Sequence, residues 1–278
     1  MLSYRHSFHA GNFADVLKHL VLTEILDYLV RKDRPFDYID THAGAGVYSL
    51  KSPQATKTGE YLEGIARLTA LDMPELATYL AVVRAHNPGA GITVYPGSPA
   101  IASHFLRPTD RGWLFELHGG DFPLLEKFAA SRRNIRVKQA DGLAGMLALV
   151  PPASRRGLVL VDPSYELDSE FRQVLAAVTA AWRKFTTGTY AIWYPVVSRR
   201  QANWLEQQFA RSGVRNIQVF ELARTPDSEG LGMTSSCMLV INPPWQLQDK
   251  MARVLPRLVT VLGDDGRGWW RAEQLVPE

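Results

Sequence analysis

Cysteine is almost absent from this sequence, and so is any long apolar run. The one thiol, Cys237, cannot form an intrachain disulfide, and a reducing, cytoplasmic setting is expected. No uninterrupted hydrophobic stretch approaches the roughly 20 residues of a membrane-spanning helix. The opening Met1-Leu2-Ser3-Tyr4-Arg5-His6 lacks the apolar region of a signal peptide. His6, His9 and His19 stand near the start, but no thiolate or carboxylate cluster joins them, so no metal is expected. Internal repeats and low-complexity tracts are missing too. Charge of one sign is scarce: the net charge is +3, with an isoelectric point near 9.0. That balance tolerates a polyanionic partner without requiring one.

What the chain does have is core. Hydrophobic residues make up 46% of 278, enough for one large domain or one domain carrying an insertion. The most informative stretch is Leu158-Val159-Leu160-Val161-Asp162-Pro163-Ser164-Tyr165. A short apolar run ending on a turn signal reads as a fully buried strand. In an open α/β sheet ligands bind beyond the carboxyl ends of strands, which is where Asp162, Pro163 and Tyr165 would sit. These residue types suit an exocyclic amino group. An Asp oxygen accepts one N–H, the Pro163 carbonyl accepts the other, and the nitrogen lone pair is left to face an electrophile. Tyr165 offers a flat face for a base. The plain alternative is a strand-ending turn whose Asp caps the next helix.

A second signal lies upstream. Phe36-Asp37-Tyr38-Ile39-Asp40 reads as a buried strand running into Thr41-His42-Ala43-Gly44-Ala45-Gly46-Val47-Tyr48-Ser49. A glycine-rich turn after a strand is where a nucleotide-like cofactor lies against backbone. Ser49 occupies the place of a third glycine, and Asp40 would repel a pyrophosphate. A cofactor with a cationic end, such as S-adenosylmethionine, suits Asp40 better. An ordinary β-to-α glycine turn is the alternative.

Before this strand, Asn12 is positioned to cap a helix in which Leu17, Leu20, Val21, Leu26 and Leu29 recur at helical spacing. Asp15, Lys18, His19, Thr23 and Arg31 fall on its opposite face, and the residues before it read as a flexible, cationic, stacking arm. Residues 52–92 read as a small helical insertion. Ser98 reads as a helix cap with Pro99 at the first helical position, or as a cofactor contact. Gly112 to Leu117 reads as the sheet's second strand. Glu116 near its end suits a ribose diol, although it comes about 70 residues after the glycine turn rather than the usual 20 or so. The insertion accounts for the surplus. Asp141-Gly142 opens a further helix, where Asp141 could accept from an adenine amino group or act as an N-cap. Arg199 and Arg200 lie beyond the strand Tyr190 to Tyr194 and could meet phosphates, or simply begin a solvated helix. The long loop from Thr225 to Thr234 reads as functional, and Gly268-Trp269-Trp270 as a lid on the core.

Asn242-Pro243-Pro244-Trp245 is, as a string, a better acceptor–proline–proline–aromatic motif than Asp162 to Tyr165. It is set aside because it ends what reads as the last strand, far from the glycine turn.

Taken together, Met1 to Asn12, Ala14 to His19, Asp40 to Gly46, Tyr95 to Pro99, Glu116 to His118, Asp141-Gly142 and Asn242 to Trp245 resemble the bacterial RlmJ family. Its members are 23S ribosomal RNA adenine-N6 methyltransferases. The resemblance implies an α/β fold: a Rossmann-like class I S-adenosylmethionine-dependent methyltransferase sheet with an inserted helical subdomain. Residues 1–51 would hold the arm, first helix and first strand, 52–92 the insertion, and 93–278 the rest. Cofactor contacts would fall on His19, His42, Ser98, Glu116, Asp141, Gly142 and Asp162, beside Gly44 of the turn. Asp162 would be catalytic, with Pro163 and Tyr165. Tyr4 would meet the RNA; Arg5, Lys18, Arg199 and Arg200 are read from the sequence itself as further RNA contacts. A cytoplasmic monomer is expected, with no membrane partner. Ser164 departs from the family's usual Asp-Pro-Pro-Tyr. DNA adenine, a protein glutamine amide, or an RNA-binding role on a vestigial cofactor fold are the alternatives.

Overall fold

A computed structural model describes residues 5–69, 71, 73–228 and 232–278. In chain order the elements are α1 (Phe13–Val30), β1 (Asp37–Asp40), β2 (Val47–Ser49), α2 (Pro53–Thr58), α3 (Ile65–Leu68), α4 (Ala77–Ala85), β3 (Val94–Pro96) and α5 (Ser98–Phe105). Then come β4 (Arg111–Phe115), α6 (Phe122–Ala129), β5 (Ile135–Lys138), α7 (Gly142–Leu149), β6 (Gly157–Val161) and α8 (Asp168–Lys184). The chain finishes with β7 (Thr189–Val196), α9 (Arg199–Arg211), β8 (Ile217–Ala223), β9 (Ser235–Ile241), α10 (Leu247–Leu262) and β10 (Trp269–Val276).

Eight strands form one sheet in the order β10-β8-β9-β7-β6-β1-β4-β5. β1 pairs in parallel with β4 on one side and β6 on the other. The chain therefore builds outward to β5, returns, and builds the other way. That reversal opens a crevice at the carboxyl end of β1, where ligands of open α/β sheets bind. Side chains alternate between two cores, as a doubly covered sheet demands. Tyr38, Leu158 and Leu160 face a layer containing α1, α5 and α10, while Ile39, Val159 and Val161 face α7, α8 and α9. Each fully buried Leu or Val contributes roughly 1.5–3 kcal/mol.

β9 runs antiparallel to both β7 and β8. Its carboxyl end therefore lies at the opposite rim from those of β1 and β6. Asn242 follows it there, φ +50°, with its amide donating to the Thr186 and Gly188 carbonyls at 2.7 and 2.8 Å. Strand polarity thus removes the Asn242-Pro243-Pro244-Trp245 motif from the crevice. β9 is not the last strand, however. Trp269 and Trp270 belong to β10, which pairs antiparallel with β8 at the sheet edge, so they form no lid. The alternation of β10 is hidden because Arg271 turns into ion pairs with Glu206, Glu221 and Glu273 rather than into solvent.

The glycine-rich turn leads into β2 rather than directly into a helix. β2 pairs antiparallel with β3, and α2, α3 and α4 lie between the two in sequence. Only after β3 does α5 carry the chain to β4. Gly97, not Ser98, is the N-cap residue of α5, and no side-chain capping bond forms. The Ser98 hydroxyl instead donates to Asp40 Oδ2 at 2.7 Å. No helix among the described residues is long and apolar enough to cross a membrane.

Candidate active site

A cavity of about 640 Å³ opens at the carboxyl ends of β1, β4 and β6, joining the glycine bend to Asp162. The volume lies within the roughly 300–1,000 Å³ typical of small-molecule sites. Gly44 has φ +59°, and a Cβ there would fall 2.1 Å from the Tyr48 hydroxyl, so only glycine suits this bend. The Gly44 N–H donates to Glu116 Oε2 at 2.8 Å and the His118 N–H to Glu116 Oε1 at 2.6 Å. Glu116 is thereby fixed facing the cavity, and burial raises its pKa. Asp40 lies beneath the bend, wholly buried. It accepts from the Tyr38 and Ser98 hydroxyls, each at 2.7 Å, and from the His42 N–H at 3.3 Å. The expectation that Asp40 faces a cofactor's cationic end is corrected: its oxygens shape the bend from within.

His42 bonds Thr41 Oγ1 at 2.7 Å, and burial lowers its pKa to about 4, so it is a neutral ring at the cavity wall. Across from it, Asp141 caps α7 through Oδ1 to the Leu143 and Ala144 N–H groups. A Cβ on Gly142 would stand 1.9 Å from the Thr41 carbonyl oxygen. Missing Cβ atoms at Gly44 and Gly142, two cavity-lining carboxylates and a neutral imidazole fit an adenosyl cofactor. Gly142→Ala must therefore push α7 from the bend. It is expected to destabilise by about 1–3 kcal/mol and weaken S-adenosylmethionine binding, read by thermal denaturation and calorimetry. Unchanged affinity would contradict this packing.

The other end of the cavity is built by α1. Asn12 Oδ1 accepts from the Ala14 and Asp15 N–H groups, both at 3.0 Å. This cap turns Asp15 back toward the chain start, where it accepts from the Gly11 N–H at 2.8 Å and His6 Nε2 at 2.9 Å. One turn on, Lys18 Nζ lies 2.9 Å from Asp15 Oδ1 and 2.6 Å from Asp162 Oδ2. Lys18 is buried, not a solvent-facing RNA contact, which corrects the expectation from sequence. His19 is buried as well, bonding the Tyr95 hydroxyl through Nδ1 at 2.7 Å.

One ammonium serves two carboxylates here. Burial would raise Asp15, but its close contacts with His6 and the Lys18 ammonium outweigh it and hold Asp15 well below its ordinary pKa. Burial depresses Lys18, and the two carboxylates more than restore it. Burial pushes Asp162 up to about 6 against the pull of the Lys18 ammonium. Burial lowers His19 to about 3. His6 and His9 bond Asp15 and Glu60 respectively, and among the described residues no group of three potential metal ligands occurs.

Pro163 and Tyr165 line the cavity beside Asp162. Tyr165 has φ +53°, a costly conformation for a non-glycine residue and one that clusters at functional sites. Its hydroxyl donates to the Trp193 carbonyl at 2.8 Å, and its ring packs 4.4 Å from that of Phe171. Trp193 also lies under Lys18, at 5.6 Å. The expected RNA contacts fare unevenly. Arg199 turns inward to Glu221 at 2.6 Å and Asp227 at 2.8 Å, so its charge is spent on anchoring the loop before β9. Arg200 and Arg5 are exposed, and Tyr4 lies outside the described residues. Arg224 and Met233, flanking that loop, reach the cavity wall, although residues 229–231 of the loop lie outside the described residues. His6, Asp15 and Trp193 were not expected at this site. The Asp15–Lys18 spacing behind a capping Asn was the available clue.

A sheet of this order, with a glycine bend after its first strand and an Asp-Pro-Ser-Tyr loop after the neighbouring one, defines a class I S-adenosylmethionine-dependent methyltransferase. The chain belongs to the family described as "Ribosomal RNA large subunit methyltransferase D, RlmJ", whose model matches residues 33–276. It is 49% identical to Ribosomal RNA large subunit methyltransferase J of Escherichia coli (strain K12) over 280 residues, covering all of both chains. It is 47% identical to the Haemophilus influenzae protein of that name over 281 residues, again covering all of both. A crystal structure of a Legionella pneumophila protein superposes with a TM-score of 0.88 at 36% identity, covering 96% of this chain and 98% of that one.

Proposed function

We propose that this chain transfers a methyl group to N6 of an adenine in 23S ribosomal RNA. The observation that carries the reading is a single cavity holding both the Gly44 bend and the Asp162-Pro163 acceptor pair. Residues 52–92 are read as a helical insertion within one methyltransferase domain. Gly44, Glu116, Asp141 and Gly142 would hold the cofactor, with His19, His42 and Ser98 forming the wall around it. When bound, S-adenosylmethionine supplies an electrophilic methyl group.

The chain's own part is orientation. Lys18 occupies Asp162 Oδ2, so Oδ1 is the oxygen offered to one N–H of the amino group. The Pro163 carbonyl takes the other N–H, and Tyr165 supports the ring face. Both acceptors draw density onto nitrogen and aim its lone pair, which is catalysis by positioning and preorganised electrostatics. No strong base is needed. The adenine must leave its stack, or come from a single-stranded region, to reach this depth. Incubating the protein with labelled S-adenosylmethionine and either transcribed 23S ribosomal RNA, duplex DNA or glutamine peptides tests the reading. Label on RNA, recovered as N6-methyladenine, is expected; label only on DNA or peptide would sink it.

A pH dependence follows. Asp162 is the stronger acceptor as the carboxylate, and its pKa stands near 6. The carboxylate fraction grows as pH rises, so kcat/KM should climb through about pH 6 and level off above it. A profile flat down to pH 5 would remove Asp162 from this role.

A further inference from the structure

We infer that Leu167 and Val197 form an apolar ledge at the substrate rim of the cavity, against which bases flanking the target adenine come to rest. This rests on the RNA reading above and specifies how that RNA is held. Leu167 is 64% and Val197 55% exposed. Large apolar side chains left this open beside a binding cavity mark interaction surfaces when they are grouped. They are grouped here: Leu167 precedes α8, Val197 precedes α9, and β6 and β7, whose loops carry them, are adjacent. Gln201 Nε2 donates to Asp168 Oδ1 at 2.5 Å, clamping the two helix starts together.

The occupant follows from the surroundings. Tyr165, two residues before Leu167, lines the cavity, and so does Val197 itself, so whatever enters to meet Asp162 passes this rim. Arg200 is exposed and makes no ion pair among the described residues, while the Arg172 guanidinium lies 6.0 Å over the Trp204 ring on the same pair of helices. Two cations beside an apolar pair suit a phosphate backbone with its bases turned inward. Asp168 directly follows Leu167 and is exposed; it would repel phosphate there, which sets bases rather than backbone over the leucine. Proteins that draw a base out of a stack commonly place apolar wedges against the step left behind.

The test is a coupling cycle. The methylated adenine is first mapped by mass spectrometry on transcribed 23S ribosomal RNA. Two synthetic RNAs spanning it are then compared, one with native flanks and one with abasic residues on both sides of the adenine. Wild type should outpace the Leu167→Ser/Val197→Ser double variant about tenfold on native flanks and match it on abasic flanks. Both substituted positions are exposed, and an unchanged melting temperature and cofactor affinity would certify the variant. A ratio equal on both RNAs overturns the ledge, and so does a ratio near one throughout, as a protein-docking surface would give. Failure of the RNA reading looks different: wild type would methylate neither transcript nor oligonucleotide.

Discussion

Asp162→Ala should lower RNA methylation by roughly 10³-fold, the loss typical of removing a preorganised polar partner of the reacting group. Its fold should survive. Lys18 keeps Asp15 at 2.9 Å, so deletion leaves a paired ammonium rather than an orphan. It also removes the carboxylate whose pKa burial has raised to about 6, and therefore one that resists being charged in place. The melting temperature at neutral pH should accordingly hold or rise slightly, with cofactor affinity changed far less than turnover. Asp162→Asn separates charge from geometry. The amide has one oxygen to offer, and both Lys18 and the substrate amino group are donors seeking it. We expect a loss of roughly 10²-fold, intermediate between wild type and alanine. Single-turnover methylation with saturating cofactor measures both variants. Near-normal turnover in Asp162→Ala would falsify the mechanism.

The sheet and the two ends of the cavity were legible for a common physical reason. β6 is buried on both faces, so it reads as a continuous apolar run, and Pro163 stops it abruptly. Gly44 announces itself because no other residue tolerates its φ so close to Tyr48. What hid from the sequence was polar burial. α1 is covered on both faces: its leucines pack on the sheet, and Asp15, Lys18, His19 and Thr23 are buried as well. A helix read by periodicity assigns such a polar face to solvent, and α1 breaks the rule because its charges neutralise one another inside. The same error misplaced Arg199 and concealed β10. In both, arginines fully committed to Glu206, Glu221 and Asp227 look, in sequence, like surface charge. Spacing within one element reveals an Asp15–Lys18 pair; nothing local could reveal Lys18–Asp162, whose partners are 144 residues apart.

Lys18→Ala should be the most destabilising single change in the cavity, because it leaves two buried carboxylates without their shared cation. Breaking a buried pair by removing one partner costs about 3–5 kcal/mol. Asp15 retains His6 and the Gly11 N–H, whereas Asp162 retains no cation at hydrogen-bonding distance among the described residues. The sign of the pH dependence is fixed by this. Without the ammonium both folded-state pKa values rise, and an acid whose folded pKa exceeds its unfolded value loses stability as pH increases through that range. The variant should thus be weakest at neutral pH and recover toward pH 5, where Asp162 is protonated. In wild type the charge on Asp15 is already compensated, so its curve should be flatter. Urea midpoints at pH 7.5 and 5.5 read the difference, provided the slope is unchanged. Lys18→Arg sharpens the test: it restores charge but not a point donor set between two oxygens. Stability should return in part while turnover stays low, because Asp162 is then held by a planar fork in a different place. Recovery of full turnover by arginine would mean that Lys18 supplies only charge and that the 2.6 Å contact does not position Asp162.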